Sequence, residues 1–550
     1  MSDAILVSES SRLSWTRRIR LWLTYDRTIA VAAIGILVVA FAARAYALRD
    51  VPRLTDETDE VMRGLAIARG EMFPLTNVDA YIGPLWNYLL AFWFFVVGPT
   101  TILPRALTLG VAILTVGATA RLAREMACRT GLGARADLIG LGAALLLASS
   151  SFHAVVSSRI GWSHALTPLA VTIALILLLR WESRRDSRLL LLGGLAYGFA
   201  VHTHPTALAL APGLGLWALL HWRNTLGDRA GWGALGLFLL ANLPMLAHNA
   251  LTGFGSVEAA ARVQKAYAAG ATAPIDGYLG NLDALLRSIP LLLAGEIGEH
   301  RGVMRSLDNP FAFVWAGLVS VGLLVTIRHR VFLPLLLFVS VALVMPLFNG
   351  KYEPLFNGRY LAPLLPLAFV LGAVAVGALV EALRCSAAWR SAMYATLVVL
   401  LCIPSVASLA SYISVTATDG PHNGELYRAV AIAAAAGSSK PVLVDATISG
   451  TRASTGREGT GVLEYIMLVD TPLSVRRSQP ADLIKSLERG ESDLVLVSTR
   501  LLHRLDKGFV LEMPPGEDEA RPRRRAPFAV ARVVGQAAEL PDLDIVAAEP

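Results

Sequence analysis

Stretches of about twenty mostly apolar residues recur through most of this chain, and each is long enough to cross a hydrocarbon layer of about 30 Å. Only 17% of the 550 residues are charged, against about 25% in ordinary soluble domains. The pattern predicts a polytopic α-helical membrane protein with about eleven transmembrane helices. The predicted spans are 29–48, 105–122, 138–157, 161–181, 189–202, 207–220, 231–249, 310–327, 331–348, 361–383 and 392–412.

Arginine residues cluster in every second connector between these spans, and the alternation predicts the orientation of the chain. Basic residues prefer the cytoplasmic side of a membrane. The basic segments are the one before the first span and 121–135, 180–188, 223–229, 328–330 and 384–390. We therefore predict a cytoplasmic N-terminal segment (1–28), a membrane domain (29–412) with a first outer loop at 49–104, and an extracytoplasmic region (413–550). The long loop 251–309 lies on the same outer side.

Two segments allow more than one interpretation. The apolar run 88–97 is too short to span a membrane, and counting it as a span would move the basic segment 121–135 to the outside. We interpret it as a re-entrant or interfacial helix. The Ala-x-Ala spacing at 43–47 resembles a signal-peptidase site, but the polar leader before it is long, so we predict a retained membrane anchor.

The region after about residue 415 has the composition of a soluble domain. Helical patterns at 426–436 and 481–489 alternate with strand patterns at 442–445 and 493–498, and two more strands are predicted at 528–534 and 543–547. Strands that alternate with helices indicate a small α/β domain with a partly parallel sheet. The run 456–461 is glycine-rich but is not a phosphate-binding loop, so the sequence predicts no function for this domain.

The charge and the cysteines exclude several classes of function. The net charge of +7 is explained by arginines beside the spans, so we predict no binding to nucleic acid. The three cysteines, Cys128, Cys385 and Cys402, are too scattered for a metal site or a disulfide framework. No cofactor is predicted, and whether a divalent ion assists is left open.

Four carboxylates stand together immediately after the first span, at Asp56, Glu57, Asp59 and Glu60. Charge beside a bilayer is costly to bury, so such a cluster indicates a functional site. A structural interpretation is also open: Thr55 or Asp56 would cap a helix over about 58–70, and acids in its first turn would favour the helix dipole. The two roles are compatible.

Four further polar segments fall on the same side of the predicted membrane. They are 81–85 (Tyr-Ile-Gly-Pro-Leu), 158–159 (Ser-Arg), 202–205 (His-Thr-His-Pro) and 359–363 (Arg-Tyr-Leu-Ala-Pro). Together with the Asp56-Glu57 pair, the Ile-Ala-Arg at 67–69 and the Pro-Arg-Ala at 104–106, their order resembles the C-type (GT-C) glycosyltransferases that use polyprenyl-phosphate sugars. The likeness is to protein O-mannosyltransferases and the bacterial lipid A aminoarabinose transferase, over about residues 50–383.

The resemblance implies an enzyme of the bacterial inner or plasma membrane. Such an enzyme moves a sugar from a polyprenyl-linked phosphate or diphosphate to a hydroxyl of an extracytoplasmic lipid, polysaccharide or protein, usually with inversion. A carboxylate must take the hydroxyl proton as the glycosidic bond breaks. By family position Asp56 is the predicted general base, and its neighbour Glu57 orients the acceptor or tunes the pKa of Asp56.

The leaving phosphate needs cations, and a guanidinium can hold it through two hydrogen bonds. Arg359 is the first candidate because of its family-like Arg-Tyr-Leu-x-Pro setting, followed by Arg159 and Lys351. The alternative for each is a long side chain that keeps its charge in water at a helix end.

Aromatic and histidine side chains complete the predicted site. The candidates for substrate contact are Tyr81, His202, His204 and Tyr360. Hydrogen-bonded helix ends are the alternative for the histidines, and two histidines without a third ligand make a poor metal site. Interfacial anchoring is the alternative for Tyr81, as it is for Trp86 and for the pair Trp162 and His164.

Two departures from the family limit what the resemblance implies. The aminoarabinose transferases carry Lys-Pro where this chain has Ile-Gly-Pro at 82–84, so one phosphate-facing lysine is missing and the sugar cannot be inferred. The loop 251–309 carries no large β-trefoil insertion, which argues against a eukaryotic-type protein O-mannosyltransferase.

Two alternative functions belong to other classes. One is a transporter or lipid flippase, which would carry ionisable residues near the bilayer midplane. The other is a non-catalytic assembly or sensor protein that displays the C-terminal domain.

Overall fold

A computed structural model gives the fold of the chain. It describes residues 27–48, 55–268, 274–297, 309–352, 354, 357–419, 423–446, 462–514 and 528–536. Most of the predicted cytoplasmic segment, the predicted strand 543–547 and the glycine-rich run 456–461 lie outside these ranges.

Helices account for nearly all of the described membrane part, as the apolar runs predict. They are α1 (Arg27–Ala45), α2 (Thr55–Ala68), α3 (Leu85–Val97), α4 (Leu103–Arg129), α5 (Ala136–Ser149), α6 (Ser151–Val155), α7 (Leu166–Arg184), α8 (Ser187–Thr203), α9 (Ala211–Leu220), α10 (Arg229–Ala241), α11 (Leu243–Thr252), α12 (Gly255–Ala268), α13 (Pro274–Leu293), α14 (Pro310–Arg328), α15 (Leu333–Phe348), α16 (Leu365–Glu381) and α17 (Ala387–Asp419). A helix stands at each of the predicted spans, so the protein is a helical integral membrane protein.

The lengths of these helices differ more than the sequence pattern predicts. Within the described ranges, six are long and apolar enough to cross a membrane: α1, α4, α7, α14, α16 and α17, with α7 and α16 extended by short 3₁₀ turns. The pair α10 and α11 makes a seventh if it counts as one span bent by 64°. The other predicted spans correspond to shorter helices, so the prediction of about eleven is not decided by length alone.

The outer segment 251–309 is not the plain loop that we predict from the sequence, because its described residues form the helices α12 and α13. Leu285, Leu292 and Leu293 of α13 are buried. Their spacing of seven and eight residues puts them on one helical face, and α13 packs against α14 and α15. The segment folds as a helix because this apolar face can cover the bundle.

Helix α16 lies at the centre of the bundle. Nearly all of its residues from Leu365 to Gly377 are buried, as expected for a helix that is apolar on every side. It packs against α4, α5, α14 and α17. The 3₁₀ segment Asn357–Leu364 leads directly into it, so this firmly held helix fixes the place of Arg359.

The C-terminal region contains the predicted α/β fold. Its elements are α18 (Asn423–Ala436), β1 (Val442–Asp445), α19 (Val462–Asp470), β2 (Val475–Ser478), α20 (Pro480–Glu488), β3 (Leu494–Ser498), α21 (Thr499–Gly508), β4 (Phe509–Glu512) and β5 (Phe528–Gln536). The sheet order is β2-β1-β3-β5-β4. Strand β1 is parallel to β2 and β3, and β5 is antiparallel to β3 and β4. The partly parallel sheet is confirmed, while β2, β4, α19 and α21 are elements that the sequence analysis misses.

The C-terminal domain rests on the first outer loop. Buried Val61 and Leu65 of α2 belong to the same apolar cluster as Ile466 and Met467 of α19. Two hydrogen bonds join the surfaces, because the backbone N–H and the hydroxyl of Thr101 each donate to the Asp470 carboxylate at 2.7 Å. The helix that carries the acidic cluster is therefore held from the side of the C-terminal domain as well as from the membrane domain.

Candidate functional site

Helix α2 divides the acidic cluster between its faces. It includes residue 55, three residues before the start that we predict, so Asp56 and Glu57 lie in its first turn. The side chain of Asp56 is 43% exposed, whereas Glu57 and Glu60 are buried, with exposures of 0% and 5%. Residues three apart share a helical face, so Glu57 and Glu60 point inward together while Asp56 stays partly exposed.

Asp56 forms an ion pair with Arg359, the first candidate for the phosphate site. A guanidinium nitrogen of Arg359 lies 3.4 Å from the Asp56 carboxylate, and the Arg359 side chain is 17% exposed. The predicted base and the predicted phosphate ligand, which are far apart in sequence, therefore meet at one end of the bundle. A partly exposed pair of this kind is worth little in stability, at most about 1 kcal/mol.

Glu57 is buried, whereas a residue that contacts the acceptor, as we predict for Glu57, would be accessible. Its two oxygens each accept a hydrogen bond of 2.8 Å from Arg105, and both side chains are fully buried. It also accepts the backbone N–H of Gly161 at 3.1 Å, and Arg105 donates to the carbonyl of Leu48. This two-pronged pair ties α2 to the start of α4 and to the end of the α1 segment.

Glu60 is a buried acid whose contacts the sequence does not reveal. Its carboxylate accepts the backbone N–H of Ser163 at 2.7 Å and the hydroxyl of Ser163 at 2.9 Å. Burial raises the pKa of Glu60 to about 8, against the effect of these hydrogen bonds, and the nearby charge of Asp56 raises it further. Glu60 therefore takes up and releases its proton near neutral pH.

Two rings contact the guanidinium of Arg359, and two histidine rings pack beside them. Its central carbon lies 5.2 Å from the ring of Trp162 and 5.0 Å from that of Tyr360, distances typical of cation–π contact. The His164 ring lies 5.0 Å from that of Trp162 and 3.5 Å from that of His204. Tyr360 also accepts a hydrogen bond of 3.1 Å from Arg359. The rings limit the directions in which Arg359 can point.

The histidine at 204 is neutral in this setting. Burial, and after it the charge of Arg359, keeps the pKa of His204 well below its ordinary value of 6.5. Its Nδ1 atom accepts the backbone N–H of Thr206, which caps the following 3₁₀ turn. The helix-end interpretation therefore holds for this nitrogen, while the ring itself lies in the cluster around Arg359.

His202 supports the loop that carries the family-like Gly-Pro-Leu. The backbone N–H of Leu85 donates to His202 Nε2 at 3.1 Å, and that of Gly83 donates to the His202 carbonyl at 2.8 Å. A Cβ atom at Gly83 would lie 2.3 Å from the His202 ring, so only glycine fits. Tyr81 of the same loop donates its hydroxyl to Asp79 at 3.1 Å. These contacts fix the loop.

The other two predicted cations, Arg159 and Lys351, stand in different local settings. Arg159 is fully buried and donates to the carbonyl of Ala43 at 2.6 Å, near the end of α1. Lys351 is exposed and stands in a turn in which its backbone N–H donates to the Asn349 side chain. Within the described ranges, no group of three or more His, Cys, Asp or Glu side chains is placed to hold a metal ion.

An apolar groove of about 410 Å³ opens beside the His202 loop. Its walls come from the loop around Pro74 and from α3, α8, α10 and α11, with Tyr88 and Phe199 among the lining side chains.

The sequence analysis predicts no specific role for several residues around the candidate site. Ser163 is not named there at all. The others carry a signal in the sequence but no predicted contact: Glu60 in the acidic cluster, Arg105 in the Pro-Arg-Ala segment, and Trp162 with His164 as an aromatic pair.

Comparisons with known proteins bear on the fold. No family model matches the sequence, and no curated protein matches it. Among solved structures, ArnT from Cupriavidus metallidurans bound to undecaprenyl phosphate superposes with a TM-score of 0.55 at 13% identity, over 92% of this chain and 98% of that one. The chain has the fold of ArnT.

The apo state of ArnT is similar in the same way, with a TM-score of 0.52 at 16% identity over 92% of this chain and 97% of ArnT. Nearly the whole of both chains is matched, so the likeness includes the C-terminal domain as well as the membrane helices. The GT-C fold that the order of motifs implies is therefore confirmed, at identities too low to carry residue roles.

Proposed function

We propose that this protein is a membrane glycosyltransferase that moves a sugar from a polyprenyl-phosphate-linked donor to a hydroxyl of an extracytoplasmic lipid, polysaccharide or protein. The ion pair between Asp56 and Arg359 carries the proposal. It unites a proton acceptor and a phosphate ligand, both partly exposed, at 3.4 Å. The fold shared with ArnT, which binds undecaprenyl phosphate in its solved structure, supports the class of donor.

Arg359 is suited to the leaving phosphate. A guanidinium is planar and can bind a phosphate through two hydrogen bonds. The rings of Trp162 and Tyr360 hold it in place before any ligand arrives, and such preorganisation is what stabilises charge that develops in a transition state. In this proposal Arg359 neutralises the polyprenyl phosphate as the sugar leaves it.

The ion pair also suggests an order of events. Without donor, Asp56 occupies one side of Arg359, and a phosphate must replace it there. The carboxylate then becomes free to accept the proton of the acceptor hydroxyl. The acceptor oxygen bonds to the anomeric carbon, the bond from that carbon to the phosphate oxygen breaks, and the polyprenyl phosphate leaves with the electron pair. The base thus becomes available only when the donor is bound.

The remaining predicted residues keep their roles as proposals. Glu57, which is buried on Arg105, acts in this proposal by holding α2 in place, and its part in orienting the acceptor or tuning the pKa of Asp56 stays a prediction. Direct substrate contact by Tyr81, Tyr360, His202 and His204 stays a prediction, as does phosphate binding by Arg159 and Lys351.

The arginine pattern supports a topology to go with this chemistry. We propose that the N-terminus is cytoplasmic, that α2, the Arg359 segment and the C-terminal domain are extracytoplasmic, and that the membrane is a bacterial inner or plasma membrane. The acceptor would then meet the enzyme outside the cytoplasm.

The test is binding of undecaprenyl phosphate to the purified protein, followed by sugar release from a panel of polyprenyl-phosphate pentoses and hexoses. Arg359→Ala should weaken binding by at least about tenfold, the worth of a hydrogen bond to a charged group. Arg359→Lys should recover part of that loss. Arg287, an exposed arginine paired with Asp283 at 2.8 Å on α13, provides the matched control, since Arg287→Ala should have no effect.

Binding that is equal in all of these variants would remove Arg359 from the phosphate site. Transport of the donor across a vesicle membrane without any sugar release would favour the flippase instead.

A further inference from the structure

The segment from Gly161 to Ser163 crosses the inward face of α2, just before a 3₁₀ turn that begins at Ser163. Glu57 accepts the N–H of Gly161 at 3.1 Å, and Glu60 accepts the N–H of Ser163 at 2.7 Å and its hydroxyl at 2.9 Å. Acids three apart share one face of a helix, and this face of α2 meets the two N–H groups on either side of Trp162. Two carboxylates of α2 therefore hold this segment at both ends.

Trp162 lies between these two anchored residues and is the residue of the segment that contacts Arg359. Its backbone is extended, with φ −128° and ψ 164°, and its fully buried indole donates to the carbonyl of Val156 at 2.9 Å. The face of its ring lies 5.2 Å from the guanidinium carbon of Arg359. A shift of the segment would thus move the surface on which Arg359 rests.

The segment is closely packed at Gly161. A Cβ atom there would lie 2.6 Å from a side-chain carbon of Pro104 and 3.1 Å from the Glu57 carboxylate. The Gly161 carbonyl accepts the indole N–H of Trp86 at 3.2 Å. Loss of the anchor at Glu60 would therefore free the end of the segment at Ser163, the residue next to Trp162, while Gly161 stays held.

We infer that Glu60 is a positioning residue for the phosphate site, which acts on Arg359 through Ser163 and Trp162 without touching the substrate. This inference rests on the proposed function, because it takes Arg359 as the phosphate ligand. For this role Glu60 only has to accept the hydrogen bonds from the N–H and the hydroxyl of Ser163. No step of the transfer uses the proton of Glu60.

The experiment measures the affinity of the full-length protein for undecaprenyl phosphate in detergent micelles. Glu60→Ala should weaken binding by about tenfold, equivalent to the loss of one or two buried hydrogen bonds. Glu60→Gln should restore most of the affinity, because its amide accepts the Ser163 N–H and donates to the hydroxyl. In an Arg359→Ala background, Glu60→Ala should add less than about twofold, since both changes act on one contact.

Ser163→Ala provides a second route if Glu60→Ala fails to fold, and should weaken binding by about threefold, the effect of one neutral hydrogen bond. Asp445 is the matched control: it is a fully buried carboxylate that accepts the N–H and the hydroxyl of Ser498 in the C-terminal sheet. Asp445→Ala should leave the affinity within about twofold of wild type.

The outcomes separate the two claims. If the wild type does not bind undecaprenyl phosphate, the proposed donor class fails, and this inference fails with it. If Arg359→Ala weakens binding but Glu60→Ala and Ser163→Ala do not, only the inference is wrong. If Glu60→Gln is as impaired as Glu60→Ala, Glu60 acts through its charge or proton, and the positioning role is overturned.

Discussion

Asparagine at position 56 should tighten donor binding while it stops transfer. The Asp56–Arg359 pair has a nitrogen–oxygen distance of 3.4 Å, and Asp56 is 43% exposed, so water screens the pair to about 0.2–1 kcal/mol. A phosphate that binds Arg359 must displace this contact. Removing the charge of Asp56 should therefore strengthen binding of undecaprenyl phosphate by about 1.4- to 5-fold, at 1.36 kcal/mol for each factor of ten.

Transfer should fall in the same variant by about 10²–10⁴-fold, the usual contribution of a positioned general base. The fold should survive, because Asp56→Asn loses only two weak interactions, the exposed ion pair with Arg359 and a first-turn interaction with the dipole of α2, each worth at most about 1 kcal/mol. The assay is paired: affinity for undecaprenyl phosphate in micelles, and sugar release from polyprenyl-phosphate sugars in proteoliposomes. Arg287→Ala serves again as the control for a lost surface charge.

Two results would refute this reasoning in different ways. Transfer near the wild-type rate would remove Asp56 as the base and move suspicion to Asp59. Weaker binding of undecaprenyl phosphate would show that Asp56 orients Arg359 and does not compete with the phosphate.

Three further outcomes follow from buried contacts. Glu57→Gln should destabilise the protein by about 3–5 kcal/mol because it leaves the charge of Arg105 buried without its partner. Adding Arg105→Met should recover much of that loss. Denaturant titration in mixed micelles measures the stability of both variants, and unchanged stability of Glu57→Gln would refute the prediction. Asp470→Ala removes both hydrogen bonds from Thr101 and should raise hydrogen exchange in α19 and α2, whereas unchanged exchange would mean that apolar contact alone docks the domain. Since the pKa of Glu60 is raised from 4.5 to about 8, the folded protein retains a proton that the unfolded chain releases, so stability should fall as pH rises from about 4.5 to 8. Glu60→Gln should flatten that slope, and an unchanged slope would assign it to another group.

The membrane helices follow from the sequence because their signal is local. A long apolar run has few alternatives to a helix in a bilayer. The same reasoning fails at 251–309, where α13 buries only one face, and at β2, whose Val-Arg-Arg-Ser sequence has too few apolar residues to read as a strand. Strand β2 forms because it pairs with buried β1, a long-range contact that its own residues do not indicate.

The candidate site divides in the same way. Asp56 and Arg359 are each predictable from residue type and position, but their pairing depends on how the 3₁₀ segment before α16 meets the start of α2. The different environments of Glu57 and Glu60 are harder to predict from the sequence. A cluster of acids does not reveal which of its members turn inward, because that depends on where Arg105 and Ser163 arrive from other parts of the chain.

The three faces of α2 suggest why these acids share one short helix. Asp56 faces the open site, Glu57 and Glu60 hold the segment beneath Trp162, and Val61 and Leu65 pack under the C-terminal domain. A rigid helix passes displacement between its faces, since packed elements shift as units. Movement of the C-terminal domain would then reach the carboxylate of Asp56 and the support of Arg359 together, through one element. By packing on α2, the C-terminal domain is therefore in contact with the helix that carries the proposed base and is not held by its chain connection alone.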